Sequence, residues 1–277
     1  MTESTIASGT GGQSHYLSIG AERVHYVTAG RGRYTLVLVH GWACHLGFWR
    51  EQVATLADQA RLILIDLPGH GRSDKPQTAY TLDFFAKAVL TILQKEQVEK
   101  ATFIGHSMGA AAICRVVHQA PEKVAGLVSV DGLLCRPPGS PAEGLALVGG
   151  FGSPHYREHA AGIISTFFPF PGTEVLRAEI TAEMLQTPQH VMLGGMLALL
   201  SPDQPDWALP HVAGPVLVIN APRPWWTPAF ENYVRSLSSQ SEYRLMDGAS
   251  HFPMLEKPAE FNTLLTNWLR KQGLIAP

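Results

Sequence analysis

Ala101-Thr102-Phe103-Ile104-Gly105-His106-Ser107-Met108-Gly109-Ala110-Ala111-Ala112 is the stretch on which the reading of this chain turns. An apolar run of strand character leads without a spacer into Gly-x-Ser-x-Gly. An Ala-rich helical stretch, Ala110 to Ala120, follows at once. Strand, sharp turn and helix together form the setting in which a serine is held at the tip of a strained backbone, exposed to a substrate. The turn is so tight that side chains at 105 and 109 would collide with neighbouring backbone, which is the physical reason for glycine at both. The pattern of letters alone is weak, and a glycine turn capped by serine is the plain alternative. The strand before it and the helix after it make Ser107 a candidate nucleophile.

Strand and helix signals alternate on both sides of this turn. Thr35–Val39, Leu62–Ile65 and Ala101–Ile104 are apolar runs, as expected for strands covered on both faces, and Val124–Val130 is the next strand. Tyr16–Ile19 and Glu22–Thr28 read as two short strands around Gly20. Helical patterns lie near Phe48–Ala57 and Leu82–Gln94. After Arg136–Pro141, a Pro- and Gly-rich loop, the rhythm breaks. Up to about Pro210 there are helical patterns, clearest at Ala178–Leu185 and Val191–Leu200, and no strong strand. It resumes with a strand at Pro215–Ile219, a helix near Ala229–Leu237, a strand near Tyr243–Met246 and a helix at Ala259–Lys271. Strands alternating with helices imply a mostly parallel α/β sheet with right-handed crossovers. The expected organisation is a flexible tail at 1–15, a core built from 16–136 and 211–277, and a helical insertion at 137–210.

Composition narrows the function classes. The 277 residues are 45% hydrophobic and 16% charged, so a disordered chain is excluded. Twenty-one basic and 23 acidic residues give a net charge of −2, with no basic run to bind nucleic acid. Cys44, Cys114 and Cys135 have neither disulfide-framework nor zinc spacing, which suits a reducing, cytoplasmic setting. The polar first residues lack the apolar segment of a signal peptide, and no apolar run is long enough to span a membrane.

A serine needs a base to take its proton. Of the 12 histidines, His251 in Asp247-Gly248-Ala249-Ser250-His251-Phe252-Pro253 is placed for that role. Its loop follows the last strand, at the carboxyl end of the sheet where Ser107 also lies. Acyl transfer also needs donors for a developing oxyanion. The backbone N–H of Trp42, in His40-Gly41-Trp42 after the third strand, and that of Met108, at a helix N-terminus, are the natural pair.

With these residues in place, the chain resembles proteins of the α/β-hydrolase fold over about residues 16–272. HGW (40–42), DLPGHGRSD (66–74), GHSMG (105–109) and GASHFP (248–253) occur in the family's order. The resemblance implies that 137–210 is a cap over the active site. It also implies that 66–74 is mainly structural, so that His70 is not catalytic. Serine at 107 argues against the dehalogenases and epoxide hydrolases of the fold, which use aspartate there.

One departure concerns the acid that orients the histidine. In most of the family it follows the strand after the cap. Here that segment is Ile219-Asn220-Ala221-Pro222-Arg223-Pro224-Trp225-Trp226-Thr227-Pro228, without Asp or Glu, and Pro224 takes the acid's place. Some members carry the acid at the end of the strand after the nucleophile, where this chain has Asp131. Asp131 is therefore the expected acid, although Asp there also serves simply to cap a turn. Asp247 is too close to His251 in sequence, and Glu231, expected to face away on the next helix, comes second.

Aromatic residues suggest an apolar pocket. Trp42, His106, Phe167, Phe168, Trp225 and Trp226 are its candidate lining. His155-Tyr156-Arg157-Glu158-His159 matches the metalloprotease pattern H-x-x-E-H but lies in the cap without an identified third ligand, so no metal site is expected. The resulting expectation is a cofactor-free serine hydrolase cleaving a carboxylic ester of a small, largely apolar or aromatic molecule. Ser107, His251 and Asp131 would be its triad. Two other readings share the fold. One is a cofactor-free dioxygenase of N-heteroaromatic substrates, whose members resemble this chain in HGW and the early acid and use the His–Asp pair as base. The other is a ligand-binding receptor.

Overall fold

The central feature of the computed structural model is an eight-stranded sheet; residues 12–132, 134, 148–200, 212–223, 226–237 and 240–276 are described. The strands are β1 (Gln13–Ile19), β2 (Glu22–Ala29), β3 (Thr35–Val39), β4 (Arg61–Ile65), β5 (Ala101–His106), β6 (Val124–Val130), β7 (Val216–Asn220) and β8 (Ser241–Leu245). Their order across the sheet is β1-β2-β4-β3-β5-β6-β7-β8. β1 pairs antiparallel with β2, and β2 antiparallel with β4. All pairings from β4 to β8 are parallel.

The parallel strands β5 and β7 are buried at every position, because helices cover both faces. On the two sides lie α1 (Arg50–Ala57), α2 (Leu82–Lys95), α3 (Met108–Gln119), α7 (Pro228–Leu237) and α9 (Pro258–Lys271). Local chemistry sets their limits. The Thr81 hydroxyl accepts the Phe84 N–H and opens α2, whose Phe85, Val89, Ile92 and Leu93 are buried. Asp83 in the first turn of α2 binds Arg115 of α3 through two hydrogen bonds. α3 is buried along most of its length, as befits the helix behind the central strand.

Among the described residues between β6 and β7 lie the helices α4 (Tyr156–Ser165), α5 (Glu174–Met184) and α6 (Gln189–Leu199). α4 buries Tyr156, Ala160 and Ile164, and α5 buries Ile180 and Met184. A short helix, α8 (Pro253–Glu256), directly follows His251 and opens on a proline.

One boundary differs from expectation. The strand pairing begins at Gln13, inside the segment read as tail. Residues 13–15 carry no apolar signal because β1 is a polar edge. The Ser14 hydroxyl meets His25 Nε2 at 2.8 Å and His15 Nε2 meets the Thr28 hydroxyl at 2.9 Å. Cys44 and Cys114 are buried, and Cys135 lies outside the described residues. Among the described residues, no helix is long and apolar enough to cross a membrane.

Candidate active site

Ser107 stands between β5 and α3 at φ 51° and ψ −117°, a strained conformation for a residue with a side chain. Close packing enforces it. A methyl group on Gly109 would lie 2.3 Å from the Val39 carbonyl oxygen, and one on Gly105 would lie 2.6 Å from the Gly109 backbone. The Ser107 N–H donates to the Val130 carbonyl at 3.0 Å, which fixes the turn against the end of β6.

Asp131 is the next residue along β6. It too has positive φ, 41°, and its N–H donates to the Ile219 carbonyl at 2.8 Å. Its side chain, 3% exposed, turns toward His251. Oδ2 accepts from His251 Nδ1 at 2.6 Å. Oδ1 accepts from the Ala221 N–H at 3.0 Å and from Trp226 Nε1 at 3.1 Å. A carboxylate only accepts, so Nδ1 of His251 carries the proton and Nε2 is left to accept from the serine hydroxyl. His251 Nε2 lies 3.0 Å from Ser107 Oγ. The structure thus brings Ser107, His251 and Asp131 into one hydrogen-bonded chain at the carboxyl end of the sheet. Glu231 is elsewhere: on α7 it binds Arg235 at 2.8 Å.

The backbone of His251 is held on both sides. Its N–H donates to the Phe167 carbonyl at 3.2 Å, and its carbonyl accepts from His106 Nε2 at 2.7 Å. This corrects the expectation for His106. Its side chain is fully buried at the end of β5 and supports the histidine loop instead of facing a pocket. Burial pushes its imidazole well below the ordinary histidine range, so it stays neutral.

Met108 is the first residue of α3, so its N–H belongs to the first turn, whose donors have no intrahelical partner. Trp42 lies beyond β3, where the Gly41 backbone approaches so closely that a methyl group there would sit 3.0 Å from Ser107 Cβ. The Trp42 indole is buried and donates from Nε1 to the Met192 carbonyl of α6 at 2.8 Å. The preceding His40 is buried, donates from Nδ1 to the Gly41 carbonyl and accepts the Leu67 N–H. Burial pulls its pKa down to about 4. His70 is likewise buried and lowered to about 3.

The aromatic candidates divide. Phe167 places its ring 4.3 Å from the His251 imidazole. Phe168 is buried and stacks on Phe252 at 5.4 Å. Trp226, 7% exposed, is a donor to Asp131 and not an open pocket wall. Trp225 and Pro224 lie outside the described residues. His155 is exposed and paired with Glu158 at 2.9 Å, while His159 packs edge-on against Phe151. Sequence reasoning missed the Ala221 N–H, the Trp226 indole as a donor, and Arg223. The guanidinium of Arg223 binds the Thr166 carbonyl at 2.8 Å and the Phe167 carbonyl at 2.9 Å.

Comparison with known proteins agrees with this architecture. Residues 34–160 match the family described as alpha/beta hydrolase fold. A dihydrolipoyllysine-residue acetyltransferase component of an acetoin cleaving system from Pseudomonas putida is 42% identical over 98 residues, spanning 35% of this chain and 26% of that protein. A pimeloyl-[acyl-carrier protein] methyl ester esterase from Yersinia pseudotuberculosis serotype O:1b is 28% identical over 258 residues, 89% of this chain and 97% of that one. The crystal structure of the enol-lactonase from Burkholderia xenovorans LB400 superposes with a TM-score of 0.83 at 21% identity, covering 92% of this chain and all of that one. The sheet order, the nucleophile-type turn and these likenesses together show that this chain has the α/β-hydrolase fold.

Proposed function

We propose that this protein is a serine hydrolase that cleaves a carboxylic ester of a small, largely apolar or aromatic molecule through an acyl-enzyme. The carrying observation is the continuous chain from Ser107 Oγ through His251 to Asp131, at 3.0 and 2.6 Å. His251 Nε2 takes the hydroxyl proton as Ser107 attacks the ester carbonyl carbon. The Trp42 and Met108 N–H groups receive the charge that develops on the carbonyl oxygen. His251, held as imidazolium by Asp131, then gives its proton to the departing alkoxide. A water activated by His251 releases the acid by the reverse sequence. No cofactor enters these steps. The esterase and enol-lactonase names among similar proteins fit an ester or lactone carbonyl. The Phe167 ring over His251 favours an apolar group beside the reacting carbonyl.

Intact-mass labelling with a fluorophosphonate tests this reading. Wild type is expected to gain one adduct rapidly, Ser107→Ala none, and Asp131→Asn to label about ten-thousandfold more slowly, as when a triad acid is lost elsewhere. A panel of p-nitrophenyl esters then ranks acyl groups. Unchanged labelling in Asp131→Asn would remove Asp131 from the acid's role. An unlabelled wild type would overturn the hydrolase reading, and oxygen uptake with a hydroxyquinolone substrate would then test His251 and Asp131 as a base pair without acylation.

A further inference from the structure

The geometry points to Arg223 as a positioning residue for His251, acting through the Phe167 carbonyl. The inference rests on the serine-hydrolase reading above. Arg223 lies beyond β7, and its Nη1 and Nη2 each reach a carbonyl in the turn that ends α4, those of Thr166 and Phe167. Carbonyls at a helix end have no partner within the helix, and a guanidinium can take two at once because its donors form a rigid fork.

The Phe167 carbonyl has a second donor, the His251 N–H. One peptide oxygen therefore joins the core loop after β7, the turn after α4, and the backbone of the candidate base. The Phe167 ring lies against the imidazole of the same histidine. On the other side, His106 grips the His251 carbonyl. With Arg223 in place, the 166–168 turn cannot lift without withdrawing the acceptor of the His251 N–H. The 3.0 Å contact between Nε2 and Ser107 is then held by the insertion as well as by Asp131.

The placement is costly for an arginine, since burial lowers its pKa. The carboxylates of Asp131 and Glu256 oppose that effect. A side chain serving only to fill space would not need a charge here. The segment that lacks the family's usual acid instead carries a cation that braces the histidine from the insertion side.

The test compares wild type, Arg223→Met and Arg223→Lys by fluorophosphonate labelling rate, by kcat and KM on a p-nitrophenyl ester, and by thermal melting. Arg223→Met is expected to lose about tenfold in both labelling rate and kcat, with KM within about twofold of wild type. Arg223→Lys, which can still donate to one carbonyl, is expected to return to within about threefold. Should the methionine variant melt below the assay temperature, Arg223→Gln carries the same comparison. Unchanged kcat and labelling in a folded methionine or glutamine variant would overturn the proposal. So would a rise in KM alone, which would make Arg223 a substrate contact. A lysine variant no better than methionine, with both merely melting lower, would also overturn it by reducing the residue to a structural part. If wild type does not label at Ser107, the hydrolase reading fails first and this inference with it.

Discussion

At the residue scale, Asp131 shows how a carboxylate is made a fixed acceptor. One oxygen takes His251, and the other takes an amide N–H and an indole N–H. These two donors leave the carboxylate little freedom to rotate away from the imidazole. Trp226→Phe keeps an aromatic ring, though a smaller one, and removes one donor to a charged acceptor, a bond worth about 1.5–3 kcal/mol. The expected result is a roughly tenfold loss in fluorophosphonate labelling rate with a folded, cooperative melt; unchanged labelling would mean that the Ala221 N–H suffices. Ser107 and His251 were legible in the sequence because each sits in a short motif whose turn residues announce the local geometry. Asp131 became legible only after the resemblance had located the missing acid. Trp226 and Arg223 were visible as residues but not as parts, since their roles depend on the direction a side chain takes from an irregular loop, which no periodicity reports. His106 was misread for a different reason: β5 is covered on both faces, so its last residue points into protein.

At the scale of elements, the β5–turn–α3 unit is a strained joint kept closed by its surroundings. The Gly109 backbone lies under the Val39 and His40 carbonyls, and an added methyl would sit 2.3 and 2.6 Å from their oxygens. Backbone cannot move aside as a flexible side chain can. Gly109→Ala is therefore expected to destabilise the protein by about 3 kcal/mol or more, read as a lower urea midpoint with little change in slope. The inner strands were readable because their apolar runs are unbroken, a consequence of burial on both faces. β1 was shortened in the reading because its first residues, Gln13, Ser14 and His15, are polar, and their cross-strand bonds form only once β2 is beside them.

At the scale of the whole molecule, buried imidazoles set the response to acid. His40 and His70 are lowered to about 4 and about 3, and His106 lies well below its ordinary value, all chiefly through burial. In the unfolded chain each titrates near pH 6.5. Above that pH neither state binds these protons. As pH falls below 6.5 the unfolded state takes them up and the folded state does not, until about pH 4 for His40 and lower for His70. Stability should therefore fall between pH 6.5 and 4, by up to about 1.4 kcal/mol per pH unit for each such histidine. Urea unfolding at pH 7.5, 6, 5 and 4.5 checks this, and a flat midpoint across that range would contradict it. The hydrogen bonds that join the candidate triad have a further consequence for the protein's life history. They link residues 144 and 120 positions apart, and His251 comes after β8, the outermost parallel strand and the last to be synthesised. Contacts so distant along the chain form late, after the cost of closing long loops has been met. On the proposed reading, a nascent chain that has not yet extended past β8 holds a serine with no base. The newborn polypeptide is chemically mute toward the esters around it, and gains its reactivity in the same event that completes its architecture.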